Sequence, residues 1–215
     1  MHLFYATDFL FFTDRSPYIR PMTEALLQLQ AFVNAVHPIS GEDREMFSGI
    51  WMPFSAKRKE IITAEGAQER YLYFVIEGVQ RVYYFDDQGR EATLVFTYGP
   101  SFGGVLDALL LQLPSRYFYE TLTPSSFLRA PYGELDRLMK ARPGIEQLVR
   151  IGITYSLSGV LERLVELQCY SAEERFDKVM QRSPHIFKMI PHKYIANYLG
   201  MDATNFSKLI NKPKF

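Results

Sequence analysis

Residues 192–211 carry short polar and basic side chains of the kind that bind nucleic acid. Their spacing predicts two short helices, and the polar groups of the second helix lie on the face opposite its apolar residues. The outward-facing residues are Thr204, Asn205, Ser207, Lys208 and Asn211. Such groups suit base edges and phosphates in the DNA major groove. His192 and Lys193, at the start of the first helix, are expected to bind backbone phosphate together with the amides of the helix N-terminus.

The two elements that would position these side chains have helix-turn-helix spacing. Ala196 is small where the helices must cross closely, and Gly200 falls where the turn needs a positive φ. Asp202 is expected to cap the second helix. The predicted shared core consists of Ile195, Leu199, Met201, Phe206 and Leu209. An ordinary helical hairpin with a solvated face is the alternative, and the full pattern favours a DNA-binding unit.

The charge distribution suits a nucleic-acid partner at this end of the chain. The net charge of the whole chain is +0. From residue 178 onward there are seven lysines or arginines and a single acid, Asp202, so this end carries +6 and the remainder −6. A basic end on an acidic body is expected when one module alone meets phosphate.

The longest periodic segment covers residues 145–168. Its apolar residues recur at alternating steps of four and three, which is heptad spacing. These residues are Ile153, Leu157, Val160, Leu164 and Leu167. The spacing predicts the seam of a homodimer, while a second row, at Leu161, Val165 and Gln168, widens the face enough to pack on another domain as well. A single helix buried within its own chain is the alternative.

The region from Trp51 to Leu128 has the composition of an all-β domain. Aromatic and β-branched runs alternate with turn signals, which predicts a barrel or jelly roll with one short helix inserted at residues 102–113. Strands are predicted at residues 71–76, 79–85 and 91–96. Helices are predicted outside the β region at residues 23–36, 41–47 and 132–140, with Ser40 as the cap of the second.

The order of β-roll, long helix and helix-turn-helix resembles the Crp/Fnr family of transcription regulators. The runs Ser171-Ala-Glu-Glu-Arg-Phe, Ser183-Pro, Ile190-Pro and Lys193-Tyr-Ile-Ala-Asn-Tyr-Leu-Gly resemble Bacteroidetes-type members in particular. The resemblance implies an α+β fold with an N-terminal double-stranded β-helix (jelly-roll) domain of the cyclic nucleotide-binding type. The divisions expected are the sensor domain (22–143), the dimerisation helix (144–170) and the helix-turn-helix (171–215). Before them lies a flexible lead (1–21), or a segment that precedes a truer start at Met22.

The resemblance also implies a homodimer whose sensor domain binds a small effector and repositions the DNA-reading helices. Double-stranded DNA and RNA polymerase are the further partners expected. The corresponding effector residues are Gly103, Gly104, Arg116 and Tyr117. Cyclic-nucleotide members carry a ribose-binding glutamate after the glycine, whereas this chain has Val105, so cyclic AMP is not expected. A different small anionic or nucleotide-like effector, an empty pocket, and a structural ion-pair role for Arg116 remain open.

The residues needed for a metal site or for a known type of enzyme active site are not found in this sequence. A lone cysteine cannot hold an iron–sulfur cluster, and the absence of histidine between Trp51 and Gly133 argues against a cupin-type metal site. No phosphate-binding loop or nucleophile elbow is present, so we expect neither an enzyme nor a metal or cofactor. His185 is expected at the surface.

Two further expectations concern the ends of the chain. Residues 3–12 are apolar but short and contain Asp8, and no stretch approaches the ~20 apolar residues of a membrane span, so we expect a cytoplasmic protein without membrane contact. Only Pro213, Lys214 and Phe215 follow the second helix, so a full β-hairpin wing is not expected unless the sequence is truncated. That feature keeps open an alternative function, a sensor or protein-interaction module with weak or no DNA binding.

Overall fold

The computed structural model describes residues 22–212, so the predicted flexible lead and the last three residues lie outside the described part. Two helices precede the strands, α1 (Met22–Val36) and α2 (Gly41–Gly49). The Ser40 hydroxyl caps α2 by accepting a hydrogen bond from the Asp43 amide at 3.1 Å. The first helix lies where the apolar periodicity predicted it, and the second begins after the cap that the sequence predicted.

Eight strands within residues 22–212 form two four-stranded antiparallel sheets, with strand orders β1-β8-β3-β6 and β2-β7-β4-β5. The interleaved order makes a jelly roll and confirms the predicted fold class. The strands are β1 (Met52–Ala56), β2 (Ile61–Thr63), β3 (Tyr71–Glu77), β4 (Val79–Phe85), β5 (Glu91–Tyr98), β6 (Ser101–Gly103), β7 (Phe118–Thr121) and β8 (Ser125–Pro131).

The inserted helix is shorter than the sequence predicted. Residues 101–103 form β6 and pair with β3, and helix α3 covers only Leu106–Leu111. Gly104 has φ +109°, a conformation that ends the strand and that a helix cannot contain. The prediction of a helix from residue 102 was therefore wrong at its N-terminal side.

The roll is filled by its own side chains. Its inner faces pack an aromatic-rich cluster of Ala56, Tyr73, Val75, Val82, Val105, Ala108, Tyr119 and Phe127. A separate cluster lies on the outer face of the first sheet, where α1 and α2 pack together with two later helices, α4 (Tyr132–Ala141) and the start of α5 (Pro143–Cys169). The two clusters together bury both faces of that sheet.

Four shorter helices follow the 27-residue helix α5. They are α6 (Ala172–Arg182), α7 (Ile186–Met189), α8 (His192–Tyr198) and α9 (Ala203–Ile210). A capping box between Ser171 and Glu174 starts α6. Among the helices of residues 22–212, none is long and apolar enough to cross a membrane.

Candidate nucleic-acid interface and effector site

Helices α8 and α9 pack as the predicted helix-turn-helix. Phe206 is 1% exposed, and its ring contacts those of Phe176, Phe187 and His192. Ile195 and Leu199 are fully buried in the same cluster, and Met201 and Leu209 pack against it while partly buried. The predicted shared core is confirmed, because its five apolar residues all face inward.

The turn between the helices has the geometry that its residues predicted. Gly200 has φ +64°, which disfavours other residues there. Asp202 caps α9, since its carboxylate accepts hydrogen bonds from the Asn205 amide at 2.8 Å and from the Asn205 side chain at 2.7 Å. The Leu167 methyl lies only 3.1 Å from where a Cβ on Gly200 would stand, so the end of α5 packs on this turn.

The outward face of α9 is polar, exposed and largely unbonded. Its exposed residues are the five predicted ones, Thr204, Asn205, Ser207, Lys208 and Asn211. Within residues 22–212, no side-chain hydrogen bond or ion pair is found for Thr204, Ser207 or Lys208. Asn211 donates to the Ser207 carbonyl at 2.9 Å. The face therefore keeps most of its donors available to a partner.

The two residues predicted at the start of α8 are also exposed. His192 donates from Nε2 to the Phe187 carbonyl at 3.3 Å, so that nitrogen already has an acceptor. The Lys193 ammonium lies 4.7 Å from the centre of the Tyr194 ring. Of these two side chains beside α9, Lys193 is therefore the freer one.

The predicted seam of α5 is a bare apolar stripe. Ile153, Leu157, Val160, Leu164 and Leu167 are 38–56% exposed, and Leu161 and Val165 are about half exposed beside them. Helix α5 buries Ile145 and Leu148 near its start and Arg163 and Glu166 near its end. The alternative of a single helix buried within its own chain does not hold for this segment, because most residues of the stripe are exposed to solvent.

Gly103 and Gly104, two predicted effector residues, lie in the roll wall against the buried Tyr119. A Cβ on Gly103 would stand 2.4 Å from the Tyr119 hydroxyl. That hydroxyl lies 3.1 Å from Thr97 Oγ1. Burial raises the pKa of Tyr119, so the phenol stays neutral.

Glu69, which sequence reasoning missed, supplies an internal carboxylate next to these glycines. It is 2% exposed and accepts hydrogen bonds from Thr63 Oγ1 at 2.6 Å and from the Val105 amide at 3.4 Å. The amides of Arg70 and Tyr71 donate to its other oxygen. Burial raises the pKa of Glu69 against these bonds. The Val105 amide, which could have helped to hold an anion, therefore already has an acceptor.

The other two predicted effector residues lie at the edge of the roll. Arg116 is exposed, and no hydrogen bond or ion pair is found for it within the described part of the chain. A structural ion pair, the alternative role for Arg116, is therefore not found within residues 22–212. The Tyr117 amide donates to Ser115 Oγ at 3.1 Å, and no hydrogen bond joins Arg116 to Gly103 or Gly104.

Helix α8 docks on the edge strand β5, a contact that the sequence did not reveal. Asn197 pairs with the strand backbone at two points, accepting from the Thr93 amide at 2.5 Å and donating to the Glu91 carbonyl at 2.7 Å. Tyr198 packs on Phe96 with ring centres 5.0 Å apart. The side-chain amide acts here as a short added strand segment, so the helix-turn-helix is held on the β-roll.

A second contact joins the same two regions at Tyr98. Its hydroxyl lies 2.5 Å from Ser183 Oγ, and its ring meets that of His185 edge-to-face at 4.5 Å. Burial lowers the pKa of His185. The expectation of a surface histidine was wrong, because His185 is half-buried between the roll and the helices.

A buried cation, Arg81, completes the junction. Its guanidinium donates to Glu120 at 2.8 Å and to Glu91 at 2.7 Å, and it lies 4.1 Å from the centre of the Tyr194 ring on α8. The side chain is 4% exposed. Charge pairing inside the second sheet thus extends to the first helix of the helix-turn-helix. No group of three or more potential metal ligands is found within residues 22–212.

Comparison with known proteins supports this architecture. Residues 53–142 match the model of the cyclic nucleotide-binding domain. FixK2 from Bradyrhizobium japonicum is 17% identical, with 76% of this chain and 84% of that chain covered and a TM-score of 0.67. A putative transcriptional regulator of the Crp/Fnr family from Eubacterium rectale is 18% identical, with 80% and 82% covered and a TM-score of 0.64.

The catabolite activator protein of Thermus thermophilus is 17% identical, with 81% of this chain and 83% of that chain covered and a TM-score of 0.52. No curated protein matched in the sequence comparison. At these identities the structural matches establish the fold. Residues 53–142 are therefore similar to a cyclic nucleotide-binding domain, in a chain that has the fold of solved Crp/Fnr structures.

Proposed function

We propose that this protein is a transcription regulator of the Crp/Fnr type that binds double-stranded DNA through α9. The observation that carries the proposal is the exposed polar face of α9 on a well-packed helix-turn-helix, with Thr204, Ser207 and Lys208 unbonded. Two structural neighbours are described as a Crp/Fnr transcriptional regulator and a catabolite activator protein, which agrees with this role. The proposal implies a cytoplasmic location and RNA polymerase as a further partner.

The regulator acts as a homodimer joined along α5. Two parallel copies would bury the stripe from Ile153 to Leu167, which a single chain leaves exposed. Such a dimer places two recognition helices on one face. DNA binding then needs them about 34 Å apart, one turn of the double helix.

The β-roll responds to a small effector other than cyclic AMP. Val105 stands where cyclic-nucleotide members of the family carry a ribose-binding glutamate, and it is 2% exposed in the apolar interior. The Val105 amide is already bonded to Glu69. These residues do not fit a cyclic nucleotide. An effector would act through the Asn197 and Tyr98 contacts, which connect the roll to the helix-turn-helix.

Random-sequence selection with the purified protein, followed by binding across a salt series, tests this proposal. A dimer in native mass spectrometry that enriches a palindromic site would support it. Affinity should fall steeply with salt, because phosphate contacts release counterions. A dimer that enriches no sequence at low salt would contradict it and favour a sensor that works through protein partners.

Two lysines on the same helix end provide a matched pair of variants. Lys208→Ala should weaken DNA binding and lower the salt slope by about one per lost phosphate contact, since Lys208 faces outward without a partner. Lys212→Ala should have a smaller effect, because Lys212 is held by Glu173 at 2.5 Å. DNA binding by Lys208→Ala equal to that of the wild type would mean that the outward face of α9 does not meet DNA.

A Leu157→Asp/Leu164→Asp double variant tests the dimer. Both side chains are about half exposed, so the folded monomer should survive while the charges prevent the stripe from closing. A monomeric mass with an unchanged circular dichroism spectrum is expected, together with loss of palindromic DNA binding. A dimer that persists would place the interface elsewhere.

A further inference from the structure

A cleft of about 210 Å³ opens at one end of the β-roll. It is lined by strands β1, β2, β3 and β8 and by the segment before β3, and its walls include none of the four predicted effector residues. The lining combines aromatic rings with charged groups, among them Phe54, Tyr71, Arg70 and Arg129. Aromatic rings beside convergent charged groups can hold the apolar part and the charged part of one small molecule.

Arg129 is the central cation of this cleft. It lies on the same face of β8 as Phe127, which belongs to the interior cluster, and so it points toward the inner side of the roll. Its guanidinium lies 4.5 Å from the ring centres of both Phe54 and Tyr71. The two cation–π contacts fix the charge at the mouth of the roll without neutralising it.

The N–H groups of Arg129 have no acceptor. Within residues 22–212, no hydrogen bond or ion pair is found for this side chain, and its Nε is buried without a partner. A buried donor that lacks an acceptor costs free energy, so an oxygen atom that reached Nε would form a favourable hydrogen bond. Arginine presents five donors in one plane, which match the paired oxygens of a carboxylate or phosphate.

The carboxylates in the cleft wall are engaged elsewhere. Glu69 accepts from Thr63 and from three backbone amides, and Glu60 Oε2 accepts from the Lys57 amide at 2.8 Å. Neither pairs with Arg129. The exposed Arg70 adds a second cation to the lining. The charge at the mouth of the roll is therefore open to an external anion.

We propose that this cleft binds a small organic oxyanion, a carboxylate or a phosphate monoester, with Arg129 as its main contact. The N–H edge of the guanidinium binds the anionic head, and the apolar part of the ligand lies against Phe54 and Tyr71. Binding itself does not depend on DNA recognition. The further step, that this ligand is the effector, rests on the proposed function.

Titration with phenyl phosphate tests the site, with phenol as the neutral control and inorganic phosphate as the head group alone. Calorimetry should give saturable 1:1 binding of phenyl phosphate, weaker binding of phosphate and none of phenol. The Arg129 Nε–H signal in a ¹H–¹⁵N spectrum should shift on binding. Because Nε is buried and unbonded in the free protein, that shift reports on this side chain directly.

Three variants locate the binding. Arg129→Gln should weaken it roughly tenfold or more, since it removes a charge-assisted contact, while Arg129→Lys keeps the charge and should weaken it less. The matched control is Arg116→Ala, an exposed cation from the predicted effector set, which should bind phenyl phosphate as the wild type does. If Arg129→Gln does not fold, Arg129→Lys and the Nε–H signal of the wild type still show whether phenyl phosphate binds at Arg129.

Three results would overturn the proposal. They are no saturable binding by the folded wild type, binding equal for phenyl phosphate and phenol, or binding that Arg116→Ala removes and Arg129→Gln does not. None of these measurements contains DNA. Failure of this site is therefore distinguishable from failure of the proposed regulator.

Discussion

The helix-turn-helix and the β-roll use their polar side chains in opposite ways. On α9, Thr204 and Lys208 project into solvent without a side-chain hydrogen bond within residues 22–212. In the roll, Gln80 and Tyr119 are completely buried, and both bond to Thr97 between them. A polar group bonded internally stabilises the fold, but it cannot serve a ligand unless that bond breaks. The two regions therefore differ less in the types of their polar residues than in whether those residues are free to bind a partner.

The largest expected effect comes from removing a buried ring from the core beneath the exposed face of α9. Phe206→Ala should cost about 3–5 kcal/mol of unfolding free energy, because a fully buried ring leaves a cavity. Urea denaturation measures this cost, and gel-shift assays should show that DNA binding is lost. The matched variant is Phe127→Ala in the roll, equally buried, which should cost a similar amount and leave DNA binding intact in the folded protein. Equal loss of DNA binding in both would erase the distinction between the regions.

Breaking the buried ion pairs of Arg81 in the roll should cost nearly as much unfolding free energy. Arg81→Gln leaves the carboxylate of Glu120, whose side chain is 11% exposed, without its main partner. Breaking a buried pair from one side should cost about 3 kcal/mol by urea denaturation. The exposed pair of Arg137 and Glu134 is the control, and Arg137→Gln should cost under about 1 kcal/mol. Similar losses in the two variants would show that burial does not set the strength of these pairs.

A smaller effect is expected at the junction of the two regions. Asn197→Ala removes two hydrogen bonds to the β5 backbone, worth about 1–2 kcal/mol together. Hydrogen exchange of the Thr93 amide should accelerate, since that amide loses its acceptor. Asn211→Ala, which removes one bond at the exposed end of α9, should leave Thr93 unchanged. An unchanged Thr93 amide in Asn197→Ala would mean that other contacts hold α8 on the roll.

The smallest effect is a pH dependence at Glu69. Burial raises the pKa of this carboxyl in the folded state, so the folded protein holds the proton more tightly than the unfolded chain does. Wild-type stability should therefore fall, relative to Glu69→Gln, as the pH rises from the unfolded value of about 4.3 through the raised pKa. The difference in urea midpoint between the two proteins, measured from pH 4 to 8, gives the sign. A difference that changes in the opposite direction would mean that the hydrogen bonds to Glu69 outweigh its burial.

Local patterns predicted the helix-turn-helix well because its features are close in sequence. Gly200, Asp202 and Phe206 act through neighbours within a few residues, so spacing alone fixed the turn, the cap and the core. The effector residues depend on strands far apart in the chain. Spacing could name Gly103 and Gly104, but it could not reveal that Tyr119 and Glu69 occupy their surroundings. The DNA-binding and effector roles themselves stay predictions.

The sequence by itself determined the order of the elements, the apolar stripe of α5 and the outward face of α9, because periodicity and capping are local properties. Only the tertiary structure decided which polar groups are available. Asn197 looked like a helix residue of no special note, yet it binds the edge of β5 from more than a hundred residues away. Arg129 stood in an ordinary strand, and only the packing of Phe54 and Tyr71 around it left a buried donor unpaired. Such outcomes depend on contacts between distant segments, which no local pattern encodes.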